Sequence, residues 1–223
     1  MYFILPGFFY KIATTILPAL CAIIVTQCLG YAQALNMDSL YYDAVNEELQ
    51  LDQGDWIADI GSGSGSYLNK FARAVGEQGH IFAVDIDADS FDDLHDNMDS
   101  WDYYNITPVY SIQQNPLLPP SSFDGIMMRL AYHEFTAPLE MLRHFKNSLK
   151  PNGRLVIFDS MDEELVHLDR EEQEDDHRLD IELAKADLEQ AGFEIISKDP
   201  ALFRHPQRDS LTMWMLVAQP GDQ

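Results

Sequence analysis

Asp59, Gly61, Gly63 and Gly65 stand at alternate positions in Asp59-Ile60-Gly61-Ser62-Gly63-Ser64-Gly65, directly after the apolar run Trp56-Ile57-Ala58. A helix-like segment from Tyr67 to Ala74 follows. An apolar strand, an acid, a glycine turn and a helix together make a cradle for a nucleotide-containing ligand. Glycine reaches positive φ and carries no side chain to hold a ligand off the backbone. The first helical amides then point at whatever binds, backed by the positive end of the helix dipole. Asp85 is the second chemical landmark. It ends the apolar run Ile81-Phe82-Ala83-Val84 and lies 20 residues past Gly65. An α/β nucleotide site places a carboxylate there to accept hydrogen bonds from ribose hydroxyls.

The third glycine discriminates between ligands. A dinucleotide fingerprint, G-x-G-x-x-G, needs glycine where this chain has Ser66, so a nicotinamide oxidoreductase is the weaker reading. Asp-x-Gly-x-Gly-x-Gly instead resembles motif I of the class I S-adenosylmethionine-dependent methyltransferases. Ser122 to Phe135 resembles the fourth-strand motif of that family, and Leu149-Lys150-Pro151-Asn152-Gly153-Arg154-Leu155 resembles its L-K-P-G-G-x-L turn into strand five. Asn152 replaces the usual first glycine, a mild change because asparagine also tolerates a left-handed backbone. Tyr132-His133-Glu134-Phe135 is similar to the Y-H-x-F segment of small single-domain members. The motifs keep their order across residues 40–218.

This resemblance implies S-adenosylmethionine as cofactor and transfer of its methyl group to a small-molecule acceptor by in-line displacement. It implies cofactor contacts from Asp59, Gly61, Ser62, Gly63, Gly65, Asp85 and Ile86. Members usually carry an acid in the loop after strand three, against the adenine amino group. Gln114 and Asn115 are the nearest equivalents here, and an amide oxygen can accept the same hydrogen bond. Arg129 stands at the end of strand four, where it would pair with the cofactor carboxylate or an acidic acceptor, or form a structural ion pair. A hydroxyl, phenol or activated-carbon acceptor must lose a proton, which calls for a base. His133 is the candidate base, Glu134 would orient it or act in its place, and Tyr132 would position the acceptor. No ligand spacing suggests a metal, and none is expected. A non-catalytic binder of adenosyl ligands on the same fold is the alternative from another class.

The elements that must position these residues alternate. Helices are expected over residues 38–49, 67–74, 90–101, 137–149 and 181–191, with Ser90 and Asp180 as N-caps. Strands are expected at 56–58, 81–84, 104–110, 122–130, 155–158, 193–197 and 211–218. The resemblance implies that the first helix closes over the cofactor, where Tyr41 or Tyr42 would touch it; core packing is the alternative for each tyrosine. Such alternation predicts an α/β Rossmann-like, doubly wound, mostly parallel seven-stranded sheet with helices on both faces and an antiparallel C-terminal edge. The run from Asp162 to Asp176 holds nine acids in fifteen residues and reads as a solvated loop, or as part of a lid carrying His177 and Arg178.

The first 34 residues differ in kind. Lys11 is their one charged residue, Ile12 to Gly30 is an uncharged run, and Ala32-Gln33-Ala34 is a small-x-small cleavage signature. This predicts a signal peptide over 1–34 and a methyltransferase domain over 35–223, exported after cleavage near Ala34. An uncleaved membrane anchor and a cytoplasmic chain started at Met37 are the alternatives. Cys21 and Cys28 both fall in this segment, so the domain holds no thiol for disulfides, nucleophilic catalysis or metal ligation. With 37 acids against 14 Lys and Arg, the net charge is −23. That balance argues against nucleic acid and anionic membrane surfaces as partners, leaving the N-terminal segment as the one route to a membrane.

Overall fold

The computed structural model describes residues 40–101, 105–205 and 208–221. The 1–34 segment read as a signal peptide lies outside them. The chain divides into two compact units, residues 1–41 and 42–223. Among the described residues no helix is long and apolar enough to cross a membrane.

Helix α1 (residues 40–49) leads into β1 (Trp56–Ile60), α2 (Leu68–Val75), β2 (His80–Asp85), α3 (Ser90–Ser100) and β3 (Ile106–Tyr110). The second half runs β4 (Phe123–Arg129), a 3-10 turn (Tyr132–Glu134), α4 (Pro138–Ser148), β5 (Leu149–Asp162), α5 (Arg170–Asp175), α6 (Ile181–Gln190), β6 (Phe193–His205) and β7 (Arg208–Pro220). One seven-stranded sheet results, in the order β3-β2-β1-β4-β5-β7-β6. The first five strands in chain order pair in parallel. β7 runs antiparallel between β5 and β6. This is the doubly wound, mostly parallel architecture that the alternation predicts. Parallel strands covered on both faces need continuous apolar runs, and Ile126-Met127-Met128 and Leu155 to Phe158 are buried without interruption. Gly125 has a packing role of its own. A Cβ there would stand 2.8 Å from Leu49 Cδ2, so its absence lets α1 lie against β4.

Several boundaries differ from expectation, for identifiable reasons. Pro108 is tolerated because β3 is the sheet's edge strand. α3 begins at Ser90 itself, with Asp89 at the N-cap, and the Ser90 hydroxyl donates backward to the Asp87 carbonyl instead. β5 starts at Leu149, where Phe123 pairs with Leu149 before the register jumps to Gly125 and Arg154. β6 and β7 extend well past the expected strands. The acidic run is no simple loop. Its C-terminal part forms α5 with a reciprocal capping box, Asp169 accepting from Glu172 N and Glu172 from Asp169 N. Gln173 anchors it from below, buried, donating to the Leu168 carbonyl and accepting from Asp180 N. Asp180 caps α6 as expected, accepting from Glu182 N.

Candidate functional site

Strand order reverses where β1 lies beside β4, and ligands of open α/β sheets bind at the carboxyl ends of strands near that point. The glycine turn leaves β1 there. Gly61 N and Ser62 N donate to the Val84 carbonyl at 2.8 and 3.1 Å, which fastens the turn to β2. Gly61, Gly63 and Gly65 have φ of 72°, 51° and 68°, the left-handed region that disfavours side chains. A Cβ on Gly61 would stand 2.6 Å from Ala131 Cβ, and one on Gly65 2.4 Å from Leu94 Cδ1. These two glycines therefore seat the turn against the chain after β4 and against α3. Gly63 meets nothing within 4 Å and faces open space.

Asp85, at the end of β2, aims its carboxylate back at the turn. It accepts from Gly63 N at 2.8 Å and from Asp87 N at 2.9 Å. A cavity of about 490 Å³ opens between these groups and the end of β4. Gly61, Asp85, Ile86, Ile112, Gln113 and Glu134 are among the residues that line it. Ile86 and Ile112 are each about half exposed, 50% and 51%, and offer apolar surface to a planar ring. Ser62 Oγ is buried with no hydrogen-bond partner among the described residues. An orphaned hydroxyl, an open glycine face and a carboxylate at the strand end fit an adenosyl ligand with an amino-acid tail.

Asp59, the penultimate residue of β1, is buried, and its carboxyl is pushed up to about 7. Burial is the main cause; Arg129 opposes the shift and Asp85 adds to it. Arg129 lies with its guanidinium 4.2 Å from the Tyr67 ring centroid and is not among the residues facing the cavity. Gln114 is not among the residues that line the cavity. The hairpin-like bridge between Ile112 and Asn115 turns Gln113, not Gln114, to the cavity. Period-two reading of a short loop gives no means of choosing between adjacent amides.

Tyr132 lies away from the cavity lining. Its ring is fully buried and its hydroxyl donates to Asp187 Oδ2 at 2.9 Å, so it faces the core rather than an acceptor. Burial first, then the Asp187 charge, raise its pKa. Arg170 Nη1 donates to the same Asp187 oxygen at 2.7 Å, which ties α5 directly to α6 beside the tyrosine. His133 sits differently. Its Nδ1 lies 2.9 Å from both carboxylate oxygens of Asp159, a fully buried residue of β5. Its Nε2 faces Glu134 Oε1 at 3.2 Å, and Glu134 in turn meets His177 Nδ1 at 2.6 Å. Burial alone would lower the His133 pKa; the Asp159 hydrogen bond and charge, then Glu134, outweigh it and raise the pKa, with Arg178 opposing.

Asp159 and His177 carry part of this geometry although sequence reading passes over Asp159. Its one signal is an acid following four apolar residues, Leu155 to Phe158. His177, two residues past the end of α5, has a left-handed backbone at φ 57° and meets Glu134, which lines the cavity.

A doubly wound sheet with a glycine turn and a strand-end carboxylate defines a nucleotide-cofactor domain of the Rossmann-like type. The comparisons make the class specific. A model described as a methyltransferase domain matches residues 58–155, from the end of β1 into β5. A ubiquinone/menaquinone biosynthesis C-methyltransferase, UbiE, from Vibrio cholerae is 32% identical over 107 residues, 48% of this chain and 41% of that protein. The chain thus spans under half the length of the curated relatives it matches. A solved S-adenosylmethionine-dependent methyltransferase from Aquifex aeolicus superposes with a TM-score of 0.66 at 24% identity, covering 79% of this chain and 87% of that one. The [4+2]-cyclase SpnF superposes equally, at 0.66 and 18% identity over 83% and 81%. Residues 58–155 thus match a methyltransferase domain, and the fold around them is the one solved for S-adenosylmethionine-dependent methyltransferases.

Proposed function

We propose that this protein transfers a methyl group from S-adenosylmethionine to a small-molecule acceptor held at the Glu134 end of the cavity. The observation that carries the reading is the convergence, around one cavity, of the glycine turn, Asp85 and the His133–Glu134 pair. When bound, the cofactor supplies a methyl on a sulfonium sulfur; the protein's part is to place the acceptor in line with it, an effect worth about 7–11 kcal/mol. The open face of Gly63 and the orphaned Ser62 hydroxyl would receive the amino-acid tail. Asp59 would favour its ammonium and the amides opening α2 its carboxylate. Asp85 would hold the ribose, and Ile86, Ile112 and Gln113 the base. His133 is the proposed general base. Asp159 fixes the Nδ1–H tautomer and leaves the Nε2 lone pair turned toward Glu134, which lines the cavity. The match to the quinone-biosynthesis enzymes covers too little of their length to bring their acceptor with it.

Calorimetric titration of S-adenosylhomocysteine into the full chain tests the reading, with Asp85→Ala as control. Binding near micromolar, about −8 kcal/mol, that weakens in the variant supports it. A folded protein that does not bind overturns it. Binding without turnover across an acceptor screen would leave the non-catalytic binder. Export is part of the proposal, supported by the charge-poor 1–34 segment and its Ala32-Gln33-Ala34 site. The mass of the N-terminus in the native host decides it, and a chain beginning at Met37 would sink it.

A further inference from the structure

His133 Nε2, Glu134 Oε1 and His177 Nδ1 form the one cluster of three ligand-type side chains among the described residues whose donor atoms all lie within 4.8 Å of one another. Neighbouring contacts are 3.2 Å from His133 to Glu134 and 2.6 Å from Glu134 to His177. In a tetrahedral site with bonds of about 2.0–2.1 Å, donor atoms sit about 3.3 Å apart. The His133–Glu134 spacing already has that size, and Glu134 and His177, half and two-thirds exposed, can open by the remainder.

The surroundings are those of a ligand set. Asp159 holds His133 by Nδ1, the carboxylate–histidine arrangement that fixes a metal-binding imidazole in the required tautomer. Ser160 N and His133 N both donate to the same Asp159 carboxylate, so that residue is itself held. His177 is carried to the cluster by a left-handed backbone at φ 57°, a conformation that non-glycine residues seldom adopt, though histidine does so more than most. Two imidazoles and one carboxylate leave coordination positions open, as in catalytic rather than structural sites. Arg178 is the one arginine or lysine acting on His133 among the described residues. Asp159 and Glu134 outnumber it, so the pocket's own charge favours a dication.

We propose that His133, Glu134 and His177 bind a divalent transition-metal ion of the zinc class at the acceptor end of the cavity. Glu134 lines that cavity, which places the open positions at its wall. Resting on the methyl-transfer reading, the acceptor class follows: a molecule presenting a hydroxyl oxygen to the ion. A metal-bound hydroxyl ionises near neutrality. It would release its proton to solvent, its oxygen would form the bond to the methyl carbon, and the carbon–sulfur pair would return to sulfur. His133 would then serve as ligand rather than base.

The test is titration of Co(II) into the metal-stripped full chain, followed by visible absorption, with S-adenosylhomocysteine binding measured on the same sample. One equivalent of Co(II) with the strong bands of a four- or five-coordinate site is expected. His177→Gln, at an exposed position, and Glu134→Gln should each weaken uptake by more than tenfold, and Asp159→Asn by about 10–100-fold. Asp176→Asn, an adjacent acid outside the cluster, should leave uptake unchanged. A chain that binds S-adenosylhomocysteine yet takes up no Co(II), or shows only a weak six-coordinate spectrum, overturns the site. So does His177→Gln binding like the parent. Loss of S-adenosylhomocysteine binding with Co(II) uptake intact would instead strike the cofactor reading and leave the ion in place.

Discussion

Asp59, as the proposed partner of the cofactor ammonium, would make cofactor binding a proton-linked event. Its carboxyl is buried, no hydrogen bond reaches it among the described residues, and it sits at about 7 in the ligand-free protein. A ligand ammonium placed beside it needs the ionised form, so binding must expel the proton. Apparent affinity then scales with the ionised fraction of the free protein. That fraction is about one half at pH 7 and about one tenth at pH 6. S-adenosylhomocysteine should therefore bind about fivefold more weakly at pH 6 than at pH 7, and almost tenfold weaker again at pH 5. Calorimetry at pH 7 in two buffers of different ionisation enthalpy should show release of about half a proton, rising toward one at pH 6. Asp59→Asn should lose a charge-assisted contact, about 1.5–3 kcal/mol at pH 7.5, and flatten the profile. A dissociation constant constant within twofold from pH 5.5 to 7.5, or an unaltered slope in Asp59→Asn, would refute the assignment of Asp59 to the ammonium.

Without ligand, the same group makes stability pH-dependent in a fixed direction. Its folded pKa lies above the unfolded value of 3.8, so folding takes up a proton between those values, and the Asp59 contribution grows as pH falls from 7 toward 4. Denaturant melts across that window should show a shallower pH slope in Asp59→Asn than in the parent. Tyr132→Phe removes the hydroxyl bonded to Asp187; it should cost about 1–2 kcal/mol, seen as a Tm drop of about 2–8 °C, with kcat unchanged. A kcat loss without a Tm loss would restore Tyr132 to the acceptor site. Gly65→Ala forces a Cβ to 2.4 Å from Leu94 at φ 68° and should cost about 2–4 kcal/mol by denaturant melts. Gly63→Ala meets open space and should cost only the backbone part, about 1–2 kcal/mol; equal costs would mean the packing argument is wrong.

What could be read from the sequence divides by range. The turn Gly61 to Gly65, Asp85 and the order of strands are legible because their signals are local: glycines at fixed offsets, an acid ending an apolar run, and alternation of element types. The sheet's switch point follows from that alternation. The Asp187–Tyr132–Arg170 link and the Asp159–His133–Glu134–His177 chain are not legible. Apart from the adjacent pair His133 and Glu134, the bonded partners lie 17 to 55 residues apart and meet only because β5, α5 and α6 pack beside the end of β4. Tyr132 illustrates the cost of arguing from neighbours. It adjoins His133 in sequence, yet in a 3-10 turn adjacent side chains diverge, and one goes to the core while the other faces Glu134. The acidic run misleads for another reason. Composition averages over Gln173, whose single buried amide fixes the segment that carries His177.

His133 has one geometry and two available roles, and Asp159 serves both. By taking Nδ1–H it turns Nε2 to Glu134, and Nε2 is the nitrogen that either a base or a metal ligand would use. The roles separate under chelation. Once an acceptor is found, a base needs no ion, so turnover should survive exhaustive metal removal and vanish in His133→Ala. A ligand needs one, so turnover should fall on metal removal and return with Zn(II), and His177→Gln should lower it as well. His177 is the sharper probe, because it bonds Glu134 and meets His133 only through a ring contact, leaving the Asp159–His133 hydrogen bond intact. If His177→Gln turns over like the parent with and without chelator, the cluster is an ion-pair network at the cavity wall and His133 stands as the base.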